Sequence, residues 1–237
     1  MSGTVFITIA GTVFALTAAA GAAKPARAQE SQPKYANMAP LDQYLMERDT
    51  EIALARSAAP PAIANDAEVL VLGRQGYEVA VKGTNGFACV VERSWMAPFG
   101  SPEFWNPKIR GALCFNPPAS RSLLPIEQKR TEMVLAHVPT AQVIEVLKRA
   151  TAKKEWPPLE PGAMCYMMSK QAYLTDDGDH NLAHLMFYTP IMNKTNWGAD
   201  VPDSPVILGV AGSGAEPYTV FIVPVGRWSD GSAAPVM

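Results

Sequence analysis

The sequence predicts an α+β fold: an antiparallel sheet with two consecutive helices packed on one face, plus a peripheral N-terminal helix. Three observations predict it. Apolar runs of strand length, several with period 2, recur from Val69 to Gly226. Two stretches between residues 123 and 153 instead carry apolar stripes at helical spacing. The 21 prolines among 237 residues cut the chain into short elements. A hydrophobic content of 48% supports a core, and the 18% charged fraction is too low for a disordered chain.

Taken in order, Val5 to Ala23 is apolar and alanine-rich, and Ala26-Arg27-Ala28 supplies a small-x-small pattern before Gln29. Residues 1–28 therefore read as an export signal cleaved after Ala28, to a secreted or periplasmic destination. No Lys or Arg precedes the apolar run, so the basic start of such a signal would lie upstream of Met1. The alternative is an uncleaved membrane anchor, since the run is nearly long enough to span a bilayer. Cleavage removes Lys24 and Arg27, leaving 18 basic and 22 acidic residues and a net charge of −4. That balance argues against nucleic acid as a partner, because such binding rests on neutralising phosphates.

Residues 29–62 form an N-terminal segment: a polar lead-in, then a helix opening at Pro40 with Leu41, Tyr44, Leu45, Ile52 and Ala55 on one face. Pro60-Pro61 ends it as a linker, and residues 63–237 read as a single α+β domain. Val69–Leu72 is a strand, Gly73–Gly76 a turn, and Tyr77, Val79 and Val81 alternate along a second strand. Asn85-Gly86 then signals a hairpin into a third strand over Phe87–Arg93, which makes an antiparallel meander. Ser94–Pro107 is rich in Trp, Phe and Pro, and reads as a loop laid over the sheet and anchored by its rings, with an aromatic binding lip as the functional alternative.

Gly111–Phe115 is a further strand. Ile126, Met133, Val134 and His137 form the stripe of one helix, and Val143, Ile144, Leu147 and Ala150 that of the next, with Thr140 placed to cap it. Met164–Lys170, Val206–Val210 and Tyr218–Gly226 are the late strands, the last two joined by Ala211-Gly212-Ser213-Gly214. That glycine-rich turn is followed by a strand, not by a helix whose N-terminus could hold phosphate. It reads as a hairpin loop.

Export places the three cysteines in an oxidising compartment. Cys89 and Cys114 both sit in strand-like contexts, and a bridge between them would stabilise by about 3 kcal/mol in the chain-entropy model. Two other pairings and three buried free thiols stay open, with Cys165 as the cysteine left over from the favoured pair.

Chemistry concentrates in Thr175–Pro190, TDDGDHNLAHLMFYTP. His180 and His184, four apart, share one face whether the segment is helix or strand. With Asp179 beside them, or Asp176 or Asp177, they could hold a divalent metal such as zinc. Asn181 stands where an H-E-x-x-H protease needs its glutamate base. His137 could supply a third nitrogen, though its place on a helical stripe favours a core histidine. Cys165 could pair with a histidine as a nucleophile, but its apolar neighbours Met164, Tyr166 and Met167 would raise the thiol pKa.

The run His184–Pro190 (HLMFYTP), followed by Trp197-Gly198-Ala199-Asp200 and Pro202-Asp203-Ser204-Pro205-Val206, resembles the C-terminal half of a family of uncharacterised secreted bacterial proteins. The resemblance covers roughly residues 160–230. It implies export and a bacterial source, and it brings no activity. Three functions therefore stand as expectations. One is a periplasmic or extracellular binding or accessory protein, taking a small-molecule ligand near His180, His184, Tyr188 and Trp197. Another is a metal-dependent hydrolase using His180 and His184 with an aspartate and metal-bound water. The last is a structural envelope protein without a ligand.

Overall fold

Among the described residues eight strands build one sheet: β1 Glu68–Leu72, β2 Tyr77–Val81, β3 Ala88–Glu92, β4 Gly111–Phe115, β5 Met164–Met167, β6 His184–Thr189, β7 Ile207–Val210 and β8 Thr219–Pro224. Their order is β2-β1-β3-β4-β5-β6-β8-β7. Neighbours run antiparallel except for β1 and β3, which are parallel. Five α-helices among the described residues accompany the sheet: α1 Arg48–Arg56, α2 Pro61–Ala64, α3 Pro117–Ser122, α4 Leu124–Leu135 and α5 Thr140–Ala152. The structure, a computed structural model, describes Met1 and residues 34–176 and 182–235. Pro33–Met237 forms one compact unit. The α+β class and the mainly antiparallel sheet are as the sequence predicts.

Side-chain alternation gives the sheet two apolar faces. One main core joins Leu70, Val90, Leu113, Phe115 and Cys165 from the strands to Ile126 and Met133 of α4 and Val143 and Leu147 of α5. The opposite parity (Val69, Cys89, Val91, Ala112 and Cys114) packs with Ala55, Ala58 and Ala64 from α1, the turn after it and α2. Cys89 and Cys114 are direct partners in the β3–β4 register and are joined as a disulfide, while Cys165 is a buried free thiol.

Two expectations need correction. The N-terminal helix is not peripheral: Ala55 is fully buried, and Glu51 of α1 accepts a 2.8 Å bond from the buried Arg93 guanidinium. The same Glu51 oxygen accepts the Leu72 amide, and Arg93 also donates to the carbonyl of Tyr44, so one ion pair fastens this segment to the sheet. The helix also begins later than Pro40. Leu41–Gln43 is a 3-10 turn, and α1 starts at Arg48 because the Glu47 carboxylate accepts from the Asp49 and Thr50 amides.

The second correction concerns Asn85-Gly86, which closes no hairpin. β2 is an edge strand paired only with β1, and the chain crosses back to set β3 parallel to β1. Asn85 works locally instead, donating to the carbonyl of Ile63 and accepting from the Phe87 amide. Gly86 sits at a φ of 78°, the left-handed region that made the pair look like a hairpin turn. The hairpin expected between the last two strands does form, with β7 antiparallel to β8.

Candidate functional site

The strands bring a defined set of side chains to the face that α4 shares. Period 2 places Val90 and Glu92 there from β3, Gly111 and Leu113 from β4, Met167 from β5, His184, Met186 and Tyr188 from β6, and Val220 and Ile222 from β8. Between these strands, the start of α4 and the Ser94–Arg110 loop lies a cavity of about 610 Å³. Its floor (Leu113, Phe115, Leu123, Val220) is fully buried, while Pro98 and Gly209 at its edge are exposed, so it opens to solvent. A volume of this order is typical of a small-molecule site.

The aromatic loop contributes differently from a binding lip. Trp95 and Phe104 are buried with Tyr44, Leu72 and Val134, and the Trp95 indole donates to the Thr131 hydroxyl at 3.1 Å. These anchors hold the non-aromatic Met96, Ala97 and Pro98 over the cavity.

The charged residues lining the cavity are three acids, Glu92, Glu103 and Glu127, and one base, Arg93. Glu92, at the end of β3, has no hydrogen-bond partner among the described residues. A β-carbon at its cross-strand neighbour Gly111 would collide with its carboxyl, so that glycine makes the room it occupies. Burial, and then the neighbouring Glu127 charge, push the Glu92 pKa up to about 8. Glu127 of α4 is buried. Its Oε1 accepts the Tyr218 hydroxyl at 2.8 Å, and its Oε2 has no partner among the described residues. Burial also raises the Glu127 pKa, against opposing pulls from Arg130 and the Tyr218 hydroxyl. The buried Ser94 hydroxyl lines the same space and is likewise unpartnered among the described residues.

Of the residues expected at a site, His184 and Tyr188 line this cavity. His184 opens β6 and is buried, its Nδ1 2.6 Å from the carbonyl of Leu182. A carbonyl can only accept, so Nδ1 carries the proton and Nε2 is left as an acceptor. Burial lowers the His184 pKa and keeps the ring neutral at pH 7. The Tyr188 hydroxyl lies 3.4 Å from the Cys165 sulfur, and burial drives both pKa values upward, which quenches Cys165 as a nucleophile.

The remaining candidates are not gathered there. Trp197 stacks on Phe221 at 4.6 Å, and Phe221 pairs with Phe187 on the sheet face opposite Tyr188, so Trp197 belongs to the other side. His137 is exposed with a φ of 55° just past the end of α4, and is not the core histidine its spacing suggested. Asp176 is engaged by Lys34, Tyr35, Tyr173 and Lys108. Those partners hold its carboxyl well below the usual carboxylate range. Asp177, Asp179 and His180 lie outside the described residues. Among the described residues no three His, Cys, Asp or Glu side chains converge as a metal site would require.

Glu92, Glu127 and Ser94 are polar residues of the cavity that no motif in the sequence singles out. The signal for Glu92 was present: it stands in phase with Ala88 and Val90 on a strand otherwise apolar. Glu127 stands four residues after Leu123 on an inward helix face.

Compared with known proteins, the chain matches no family model, no curated protein and no solved structure. No helix among the described residues is long and apolar enough to cross a membrane.

Proposed function

We propose that this protein is an exported binding protein that encloses a small, largely apolar molecule in the cavity between the sheet, α4 and the Ser94–Arg110 loop. The observation that carries this reading is the cavity itself: about 610 Å³, mostly apolar in lining, with a handful of polar groups at fixed places. In this reading the consecutive helices α4 and α5 cover one face of the sheet, and α4 brings Glu127 into the cavity. A structural envelope protein has no use for such space, since unfilled volume forfeits packing contacts. The Cys89–Cys114 disulfide fits an oxidising compartment, as does the export signal read in residues 1–28.

The test is a titration with the neutral fluorophore N-phenyl-1-naphthylamine. Saturable enhancement at one site per chain is expected. Val210→Trp, at the half-buried mouth, should weaken it by more than about tenfold while leaving the melting temperature nearly unchanged. Absence of saturable binding, or a Val210→Trp protein that binds as the parent does, refutes the reading.

A further inference from the structure

Resting on the binding reading above, the question is which polar end the enclosed molecule carries. The cavity's own polar groups answer it. Glu92 has no hydrogen-bond partner among the described residues, and Glu127 keeps one oxygen buried and unpartnered. The buried Ser94 hydroxyl, which can donate or accept, is also unpartnered among the described residues. Buried polar atoms left without partners cost stability, so the Glu127 oxygen and the Ser94 hydroxyl, beside the partly buried Glu92 carboxyl, ask for a partner in the cavity.

The cations around these acids are already engaged, although Arg130 Nε has no partner among the described residues. Arg93 lines the cavity, but its guanidinium donates to the Glu51 carboxylate and to the carbonyls of Tyr44 and Val91. Arg130 donates to the carbonyl of Ala97, lies 4.0 Å from Glu216 and stacks 3.9 Å above the Phe99 ring. His184 is neutral, and Glu103 at the rim accepts from Asn106. Once Glu92 is ionised, towards pH 8 and above, a ligand bearing a carboxylate would bring a third charge to the two acids, and like charges in a dry site repel strongly.

We infer that the cavity is selective for a hydrophobic amine, its alkyl or aryl body against the apolar strand face and its ammonium between the carboxylates of Glu92 and Glu127. The ammonium supplies donors to Glu92, to the free Glu127 oxygen and to Ser94, and it offsets the repulsion that ionising Glu92 beside Glu127 would otherwise create. Tyr218 stays on the other Glu127 oxygen and fixes that carboxyl in place. Tyr188 and Cys165 face the same core, are bonded to one another, and stay un-ionised across the range in which Glu92 titrates.

A pH signature follows. Glu92, at about 8 in the free protein, must give up its proton to meet an ammonium, so binding below that pH releases one. Amine affinity should tighten by about tenfold per pH unit from pH 6 towards about 8, then level off while the amine, with a pKa of about 10, stays charged.

The experiment displaces N-phenyl-1-naphthylamine from the protein with decylamine, decanol and decanoic acid, whose bodies match and whose heads differ. Decylamine should compete at least about tenfold more tightly than decanol, with decanoic acid the weakest. Glu92→Gln should reduce decylamine to the level of decanol and flatten its pH profile. A cooperative thermal melt and a far-UV circular dichroism spectrum like the parent's report that the variant has folded. Decanol or decanoic acid matching decylamine, or a Glu92→Gln protein that keeps the amine preference, overturns the inference and leaves the binding reading standing. Failure of the fluorophore to bind the parent protein sinks both.

Discussion

Glu92 is where the residue-level physics is most exposed. A carboxyl at the end of an apolar strand, folded over a glycine, prefers to keep its proton. With a pKa of about 8 in the folded protein against an ordinary value near 4.5, the folded state holds more protons than the unfolded chain between those limits. The contribution of this group to stability is therefore fully present at and below about pH 4.5 and is lost as pH rises through 8, with a slope of at most about 1.4 kcal/mol per pH unit. Urea denaturation between pH 5 and 9 should show stability falling with pH in the parent, and a flatter dependence in Glu92→Gln. A slope unaltered by that substitution would place the titration elsewhere. Asp176 acts in the opposite sense: its partners depress its pKa, so its contribution disappears only in strong acid.

At the scale of elements, the β3–β4 pair is the axis of the fold. Its register sets Cys89 against Cys114 on one face and Glu92 against Gly111 on the other, so one strand pair carries both the cross-link and the acidic wall of the cavity. The closed loop spans 25 residues. The bridge should contribute about 3 kcal/mol by restricting the unfolded chain. Reduction, or the double substitution Cys89→Ser with Cys114→Ser, should lower the unfolding free energy by that order in denaturant titrations. A loss well under about 1 kcal/mol would mean that the unfolded chain keeps this pair together.

The strands themselves were legible because alternation and short apolar runs are local signals. The Val69–Leu72 and Val206–Val210 runs become β1 and β7 nearly to the residue. What could not be read was partner choice. Asn85-Gly86 has the local chemistry of a hairpin, but β3 gains a parallel partner in β1 while β2 keeps only the edge, and that outcome depends on contacts distant in sequence. The start of α1 was misplaced for a related reason: Glu47 supplies the cap, and glutamate is not among the usual cap signals.

For the whole molecule, the site was half legible. His184 and Tyr188 reach the cavity, as a histidine-bearing segment running into a strand suggested. Trp197 does not, because residues near one another in sequence fall on opposite faces once the sheet forms. The acids opposite His184 come from β3 and α4, well upstream in the chain, and no local pattern joins them to β6. A cavity belongs to the assembled sheet and helices, and its lining is a property of topology that no single window of sequence contains.

The most direct test of a ligand cavity on this face is a methyl-selective NMR titration of the protein with N-phenyl-1-naphthylamine. The account predicts saturable shifts for the methyl groups of Leu113, Met186, Val220 and Ile222, with those of Ala55, Ala64 and Val69 on the opposite face unmoved. Shifts confined to the opposite face, or none at saturating probe, would contradict it.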